Sequence, residues 1–233
     1  MNRTILIAGA SSGIGRSIAQ SLLSQGHTVI GIARDIQTFE KTMPNFYPFA
    51  LDFSKLNQLP NQIKKLIKEF PNIDTAIFSA GFGRFGALEQ FSYTQIEELM
   101  NVNFTGQVFL TRALLPQLKK LTHSDLIYIG SEAALKGSRK GAIYCASKFA
   151  LRGFTQALRE ECATNNIRIT LINAGMVKTP FFDELNFSHG DDTKHYLLPE
   201  DISNAVNFIL NSRAEINIDE INLNPMQKVI KFK

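Results

Sequence analysis

Short apolar runs alternate with longer helical patterns along this chain. The apolar runs cover residues 4–9, 28–33, 46–52, 73–80, 126–130, 167–173 and 220–223, and patterns with helical spacing cover residues 13–25, 56–70, 92–121, 142–164 and 199–211. Strands that alternate with helices predict a parallel sheet that is covered by helices on both faces. We therefore predict an α/β fold with a doubly wound parallel sheet of about seven strands.

The composition predicts a single globular domain over residues 1–233. With 44% hydrophobic and 20% charged residues, the chain has enough apolar side chains to form a large core, which excludes a disordered protein. No linker rich in Pro, Gly or Ser divides it, and no repeat is visible. Only residues 177–198 fit neither pattern. Because a connection of that length inside a compact domain is usually functional, we predict a substrate-binding loop there.

Charge and residue usage narrow the classes of partner. The net charge is +4, but the basic residues form no long stripe of the kind that nucleic-acid binders carry. No apolar stretch approaches the roughly 20 residues of a membrane span, and the N-terminus lacks the pattern of a secretory signal. Cys145, Cys162 and the four scattered histidines lack the spacing of a metal site. We expect a cytoplasmic protein with a small-molecule substrate, no metal, and no nucleic-acid or membrane partner.

A glycine cluster lies between the first predicted strand and the first predicted helix. Gly9 permits a tight turn, and Gly13 and Gly15 leave room for a pyrophosphate at the helix N-terminus. Glycine also occurs in ordinary loops, but this position between strand and helix favours nucleotide binding.

The end of the second predicted strand should contact the adenosine ribose. An acidic residue there binds the ribose hydroxyls of NAD, whereas an arginine binds the 2′-phosphate of NADP. Arg34 and Asp35 are both present, so the residues themselves leave the choice of cofactor open.

A serine, a tyrosine and a lysine form a candidate catalytic group. Tyr144 and Lys148 are four residues apart and therefore share one face of a helix, and Ser131 follows a strand. A tyrosine pKa of about 10 is poorly matched to proton transfer at neutral pH, and a lysine cation beside it lowers that pKa. Tyr144 could then exchange a proton with a carbinol or carbonyl oxygen.

These features together resemble the short-chain dehydrogenase/reductase family, over residues 4–225. The glycine cluster, Asn103, Ser131 and the Tyr-x-x-x-Lys motif occur in the family's order and at its spacing. The chain departs from the family pattern at four positions. Ala8 replaces a threonine, Phe78 and Ser79 replace two asparagines, and Ala174 replaces a proline.

The resemblance implies a Rossmann-type fold and assigns the site. Ser131 would bind the substrate carbonyl, Tyr144 would protonate it, Lys148 would keep Tyr144 acidic and bind the nicotinamide ribose, and Asn103 would hold a water in the proton relay. Asp52 would contact the adenine, and Thr179 the nicotinamide carboxamide. The implied cofactor-binding residues are Gly9, Ser11, Ser12, Gly13, Ile14, Gly15, Arg34, Asp52, Phe53, Ala80, Gly81, Tyr144, Lys148, Gly175, Val177 and Thr179.

The family register also implies the cofactor. The position of the NAD-selecting aspartate is occupied by Ala33, and Arg34 comes directly after it. This arrangement implies NADP(H), with Ser11 as a further contact to the phosphate.

The expected function is an NADPH-dependent, reversible reduction of a ketone or aldehyde to an alcohol. The alternatives are a 3-oxoacyl-[acyl-carrier-protein] reductase and a non-catalytic, cofactor-binding regulator on the same fold. Family members usually associate through two long helices, which here are residues 92–121 and 142–164, and this implies a homodimer or homotetramer. The phenylalanines that could border the pocket suggest an apolar or aromatic carbonyl; they are Phe82, Phe85, Phe181, Phe182 and Phe187.

Overall fold

A computed structural model describes residues 2–35 and 43–233. Seven strands form one parallel sheet in the order β3-β2-β1-β4-β5-β6-β8. The strands are β1 (Thr4–Ala8), β2 (Thr28–Ala33), β3 (Phe46–Ala50), β4 (Thr75–Phe78), β5 (Ser124–Ile129), β6 (Ile167–Ala174) and β8 (Glu220–Leu223). The predicted doubly wound sheet of about seven strands is therefore confirmed.

Helices cover both faces of the sheet. They are α1 (Gly13–Ser24), α2 (Leu59–Glu69), α3 (Tyr93–Met100), α4 (Gly106–Leu118), α5 (Ala142–Cys162) and α6 (Pro199–Asn211). Helices α2, α4 and α5 pack into one apolar cluster, and α1 and α6 pack into a second one on the opposite face. Because both faces are covered, strands β4, β5 and β6 are buried along their whole length, which explains why most of their residues are apolar.

The strand order reverses beside β1, which pairs with β2 on one side and with β4 on the other. The connections that leave β1 and β4 therefore run to opposite sides, and a crevice opens at the carboxyl ends of these two strands. Ligands of doubly wound sheets bind at such a point. The fold thus locates the candidate site before any side chain is considered.

The long helical pattern before β5 is interrupted near its middle. Ser92 and Gln95 form a capping box at the start of α3, with each side chain bonded to the backbone nitrogen of the other residue. Residues Asn101–Thr105 then form a π-helical turn, and α4 continues from Gly106 with Pro116 inside it. Such wider turns occur often at functional sites.

The segment 177–198 contains structure that the sequence did not predict. Its strand β7 (Phe187–His189) pairs antiparallel with β9 (Ile230–Phe232) near the C-terminus. An isolated bridge between Val177 and Leu197 joins the two ends of the segment. The segment is therefore a closed loop that is anchored at its base and near its tip.

No helix in the described parts of the chain is long and apolar enough to cross a membrane.

Candidate active site

The backbone of the glycine turn after β1 is too crowded for side chains. Gly9 has a φ of +83°, and a Cβ there would lie 2.7 Å from the backbone nitrogen of Ala80. A Cβ at Gly15 would lie 2.2 Å from the carbonyl oxygen of Gly9, and one at Gly13 would lie 3.2 Å from Thr179. The glycines thus let the ends of β1, β4 and β6 approach one another, and they leave a cradle of backbone beside Thr179.

Helix α1 points its N-terminus at this cradle. Ser12 precedes the helix in an extended conformation, and its side chain makes no capping hydrogen bond with any described residue. Ser11 is partly buried, and Ser12 is exposed. Uncapped amides at a helix N-terminus form an anion site. The side chain of Ile14 is partly buried and packs against the core.

The end of β2 lies against the same turn. The backbone nitrogens of Gly9 and Ala10 donate to the carbonyl oxygen of Ile32, at 2.9 and 3.1 Å. Ala33 is buried, whereas Arg34 and Asp35 are exposed. The arginine therefore stands at the rim of the crevice, one residue beyond the buried end of the strand.

Residues after β3 border this side of the crevice. Asp52 accepts from the backbone nitrogen and the hydroxyl of Ser54 through one carboxylate oxygen, at 2.9 and 2.8 Å. Phe53 is buried, and a Cβ at Gly106 would lie 2.7 Å from its ring. The Phe53 side chain is therefore part of the core, and only its backbone could contact a cofactor.

Tyr144 is buried with its ring between two phenylalanines. The ring centroids of Phe85 and Phe181 lie 5.1 and 6.0 Å from that of Tyr144. Burial raises the pKa of the phenol to about 12, and a hydrogen bond with Ser131 opposes part of the rise. Ser131 follows β5 and is 9% exposed, so it stands at the edge of the crevice.

Lys148 lies one helical turn beyond Tyr144. Its Nζ donates to the carbonyl oxygen of Ile129 at 3.1 Å and lies 5.9 Å from the centroid of the Tyr144 ring. Burial lowers the pKa of Lys148 to about 8. The sequence predicts that the lysine lowers the pKa of Tyr144. In the structure burial is the largest influence on this group, and the net pKa of the phenol lies above its ordinary value.

Asn103 lies in the π turn and is fully buried. Its Nδ2 donates to the carbonyl oxygen of Phe82 at 3.0 Å and to the Ser147 hydroxyl at 3.2 Å, and its Oδ1 accepts from the backbone nitrogen of Phe82 at 3.0 Å. A Cβ at Gly81 would lie 3.2 Å from Asn103 Oδ1 and 3.7 Å from Lys148 Nζ. The loop after β4 therefore passes directly over two of the four expected catalytic residues.

The residues after β6 border the other side of the crevice. Thr179 donates to the carbonyl oxygen of Val177 at 3.3 Å and accepts from the backbone nitrogen of Phe181 at 3.4 Å. Gly175 is crowded by the chain beyond β8, since a Cβ there would lie 2.9 Å from Pro225. The threonine is thus fixed beside Gly13 at the start of the closed loop.

An aromatic cluster extends from Tyr144 into the closed loop. The rings of Phe85 and Phe187 lie 5.0 Å apart, and Phe182 is buried between Phe181 and Phe187. The structure thus brings four of the five expected phenylalanines together. The guanidinium of Arg84 lies over the ring of Phe82, 5.6 Å from its centroid.

Contacts from Ser147, Gln107 and β9 to this site were not anticipated from the sequence. Ser147 binds Asn103, and Gln107 donates to the carbonyl oxygens of Ala80 and Asn103. The ribbon formed by β9 holds the loop that carries Phe187. The sequence held one signal for Gln107: it is a polar residue among apolar ones, four positions after Asn103 in a helical pattern.

Comparison with known proteins identifies the family of this chain. The sequence model of the short chain dehydrogenase family matches residues 3–189. An NADP-dependent 3-hydroxy acid dehydrogenase from Schizosaccharomyces pombe is 34% identical, over 93% of this chain and 90% of its own length. The chain therefore belongs to the short chain dehydrogenase family and is an oxidoreductase by family.

Solved structures show the same fold over nearly the whole chain. An alcohol dehydrogenase from Thermococcus sibiricus, complexed with 5-hydroxy-NADP, is 26% identical with a TM-score of 0.87, covering 98% of this chain and 99% of its own. The closed form of a serine dehydrogenase complexed with NADP+ is 27% identical with a TM-score of 0.82, covering 94% and 93%.

Proposed function

We propose that this chain is a single-domain, NADPH-dependent reductase that converts a ketone or aldehyde to an alcohol, reversibly. The observation that carries the proposal is the convergence of Ser131, Tyr144, Lys148 and Asn103 at the crevice where the glycine turn and the uncapped end of α1 also lie. Residues 177–198 form the substrate-binding loop.

The glycine cradle fits a dinucleotide. The glycines keep the turn packed closely against Ala80 and Thr179, and the N-terminus of α1 supplies amide donors without a capping side chain among the described residues. The backbones of Gly9, Ser11 and Ser12 and the first turn of α1 would hold the pyrophosphate. Asp52 would face the adenine, Ala80 and Gly81 would lie along the ribose, and Thr179 would bind the carboxamide. When bound, NADPH would supply the hydride.

NADP(H) rather than NAD(H) is favoured by the end of β2. Ala33 offers no carboxylate to ribose hydroxyls, and the exposed Arg34 offers a planar, permanently charged donor for a phosphate. The names of two similar proteins, an NADP-dependent dehydrogenase and a dehydrogenase complexed with NADP+, support the same choice.

Tyr144 would act as the proton donor. With its pKa raised to about 12, the phenol is protonated at neutral pH, as a general acid for carbonyl reduction must be. Ser131 would donate a hydrogen bond to the substrate oxygen. Lys148, with a pKa of about 8, is mostly protonated at neutral pH, so its charge would stabilise the phenolate as the proton leaves.

The rings beside Tyr144 favour an apolar or aromatic carbonyl compound. Phe85 and Phe181 flank the phenol, and Phe187 extends the apolar surface into the closed loop. A substrate carbonyl directed at Tyr144 would place its substituents against these rings.

We further propose a homodimer or homotetramer that forms through residues 92–121 and 142–164, the two long helical segments that include α4 and α5. Phe149 and Ala157 are exposed on α5, whereas Phe154 and Leu158 of the same helix face the core. The exposed pair gives the helix an apolar outer face for an isologous contact.

NADPH oxidation with a panel of diketones and aldehydes tests the reaction. Tyr144→Phe should reduce turnover by at least about a hundredfold while NADP+ binding stays within about twofold, because only the acidic hydroxyl is removed. Tyr128→Phe is the matched control. It also removes a buried tyrosine hydroxyl, which is bonded to Thr111, but it leaves Tyr144 and Ser131 unchanged. Turnover retained in Tyr144→Phe, or NADP+ binding without turnover of any substrate, would contradict the proposal.

A further inference from the structure

Gln107 is a buried side chain that the proposed mechanism does not use. It lies in the first turn of α4 and is fully buried. Its Nε2 donates to the carbonyl oxygen of Ala80 at 2.8 Å, of Asn103 at 3.1 Å and of Val102 at 3.3 Å. One side-chain amide thus joins the π turn to the loop after β4.

The π turn creates the need for this donor. The backbone nitrogen of Gly106 bonds to the carbonyl oxygen of Asn101, five residues earlier, so the hydrogen-bond ladder skips one residue there. A widened turn leaves a carbonyl group that the regular helix would have satisfied. Buried carbonyl groups need donors, and Gln107 supplies one to Val102 and Asn103.

The loop after β4 is held at two points from the same turn. Gln107 binds the carbonyl oxygen of Ala80, and Asn103 binds both backbone polar groups of Phe82. Gly81 lies between these two attachments and beside Lys148 Nζ. At Phe78 and Ser79, directly before this loop, the chain lacks the two asparagines of the family pattern. Gln107 and Asn103 therefore supply side-chain hydrogen bonds to this loop in addition to the backbone bond from Ser79 to Ala8.

The orientation of the Gln107 amide follows from its surroundings. Its Oε1 is buried and accepts no hydrogen bond from any residue that the structure describes. If the amide were reversed, Oε1 would face three carbonyl oxygens, and acceptors repel one another. The donor end must therefore face Ala80 and the π turn, which makes donation, and not volume, the property that the site requires.

We propose that Gln107 is a positioning residue that fixes the cofactor-binding loop at Ala80 and Gly81 to the relay residue Asn103. The proposal rests on the function given above, because it assigns that loop to the cofactor. Removal of the donor should loosen residues 80–82 and weaken binding of the cofactor, even though Gln107 does not touch it.

Two substitutions separate donation from volume. Gln107→Leu keeps a buried side chain of similar size without a donor. Gln107→Glu keeps the shape, and its carboxyl group donates a hydrogen bond only when it is protonated. Gln117→Leu is the matched control, since Gln117 lies on the same helix and donates to the carbonyl oxygen of Ile73, before the opposite end of β4, at 3.3 Å.

Binding of NADP+ is measured by calorimetry at several pH values. A buried hydrogen bond of this kind corresponds to about tenfold in affinity, so Gln107→Leu should bind about tenfold more weakly at every pH. Gln107→Glu should bind as weakly as Gln107→Leu near about pH 8.5 and should recover towards the wild type near about pH 5.5, where the buried carboxyl is neutral. A role in packing alone predicts no such recovery.

Amide hydrogen exchange of the cofactor-free protein gives a second readout. Residues 80–82 should exchange faster in Gln107→Leu and at the wild-type rate in Gln117→Leu. Unchanged exchange and unchanged NADP+ binding in Gln107→Leu, or equal losses in Gln117→Leu, would overturn the proposal. Failure of the wild-type chain to bind NADP+ would instead contradict the proposed function, and the exchange experiment would still test Gln107.

Discussion

Replacement of Lys148 by methionine should stabilise the protein while it removes activity. The lysine is 6% exposed, and burial lowers its pKa from the ordinary value of 10.5 to about 8. A folded state that lowers the pKa of a lysine bears a free-energy cost whenever that lysine is charged. Methionine fills a similar volume without charge, so Lys148→Met should relieve the cost.

The size of the effect follows from the pKa. A change in the pKa of Lys148 from 10.5 to about 8 corresponds to a cost of about 3 kcal/mol for the buried charge. Loss of the hydrogen bond to the Ile129 carbonyl oxygen opposes the gain by about 1 kcal/mol. We therefore expect a net stabilisation of about 2 kcal/mol at neutral pH.

The effect should depend on pH in a defined direction. Below pH 8 the lysine is protonated in the folded and unfolded states, so the wild type bears the full cost. As the pH rises from 8 to 10.5, the folded protein loses the proton first and the cost decreases. The advantage of Lys148→Met should therefore be largest at neutral pH and shrink as the pH approaches 10.

Urea denaturation of the cofactor-free protein between about pH 7 and about pH 10 measures this difference. Lys65→Met, at an exposed position on α2, is the control and should show little change at any pH. Lower stability of Lys148→Met at neutral pH, or a stability difference that does not vary with pH, would refute the electrostatic reasoning.

Three further predictions concern the cofactor, the substrate and the assembly. Arg34→Ala should weaken NADPH binding by about ten- to a hundredfold and leave NADH nearly unaffected, in steady-state kinetics with both cofactors; an equal loss for NADH would contradict the assigned phosphate contact. Phe181→Ala should raise the KM of an aromatic diketone about fivefold and change that of a small aliphatic diketone little, because a ring contact is lost; equal changes would argue against an aromatic pocket. Phe149→Glu should shift the chain to a monomeric mass in light scattering, since it places a charge on the proposed interface; a monomeric wild type would exclude that interface.

The pattern of apolar residues was enough to predict the sheet. Strand β2 has the predicted bounds, and β1, β4 and β6 differ from them by only a few residues. This success has a physical cause. Strands buried on both faces are mostly apolar, and amphipathic helices repeat their apolar residues with helical spacing, so both leave a local signal.

The strand near the C-terminus left no such signal. Residues Ile230–Phe232 are exposed and short, and they form a strand only because Phe187–His189 offers a partner about forty residues earlier. Pairing of two short segments that lie far apart in the chain is a property of the folded molecule, which local periodicity does not record.

The candidate site, like the fold, was predicted from the sequence only in part. The order and spacing of the motifs predicted that Ser131, Tyr144 and Lys148 lie close together. A helix fixes the separation of residues four apart, and the residues that follow the strands of a parallel sheet meet at one edge. The pKa values of Tyr144 and Lys148 did not follow from that spacing. They depend on burial, which several separate elements create around them.

The sequence by itself thus determined the doubly wound fold and the glycine turn, since both are recorded in local spacing, and its resemblance to the family supplied the candidate catalytic residues. Only the tertiary structure decided that burial raises the pKa of Tyr144, that two phenylalanine rings pack beside it, and that Gln107 joins Asn103 to the loop after β4. These properties arise where distant segments exclude water together. Desolvation and contacts between distant segments depend on the packing of the whole chain.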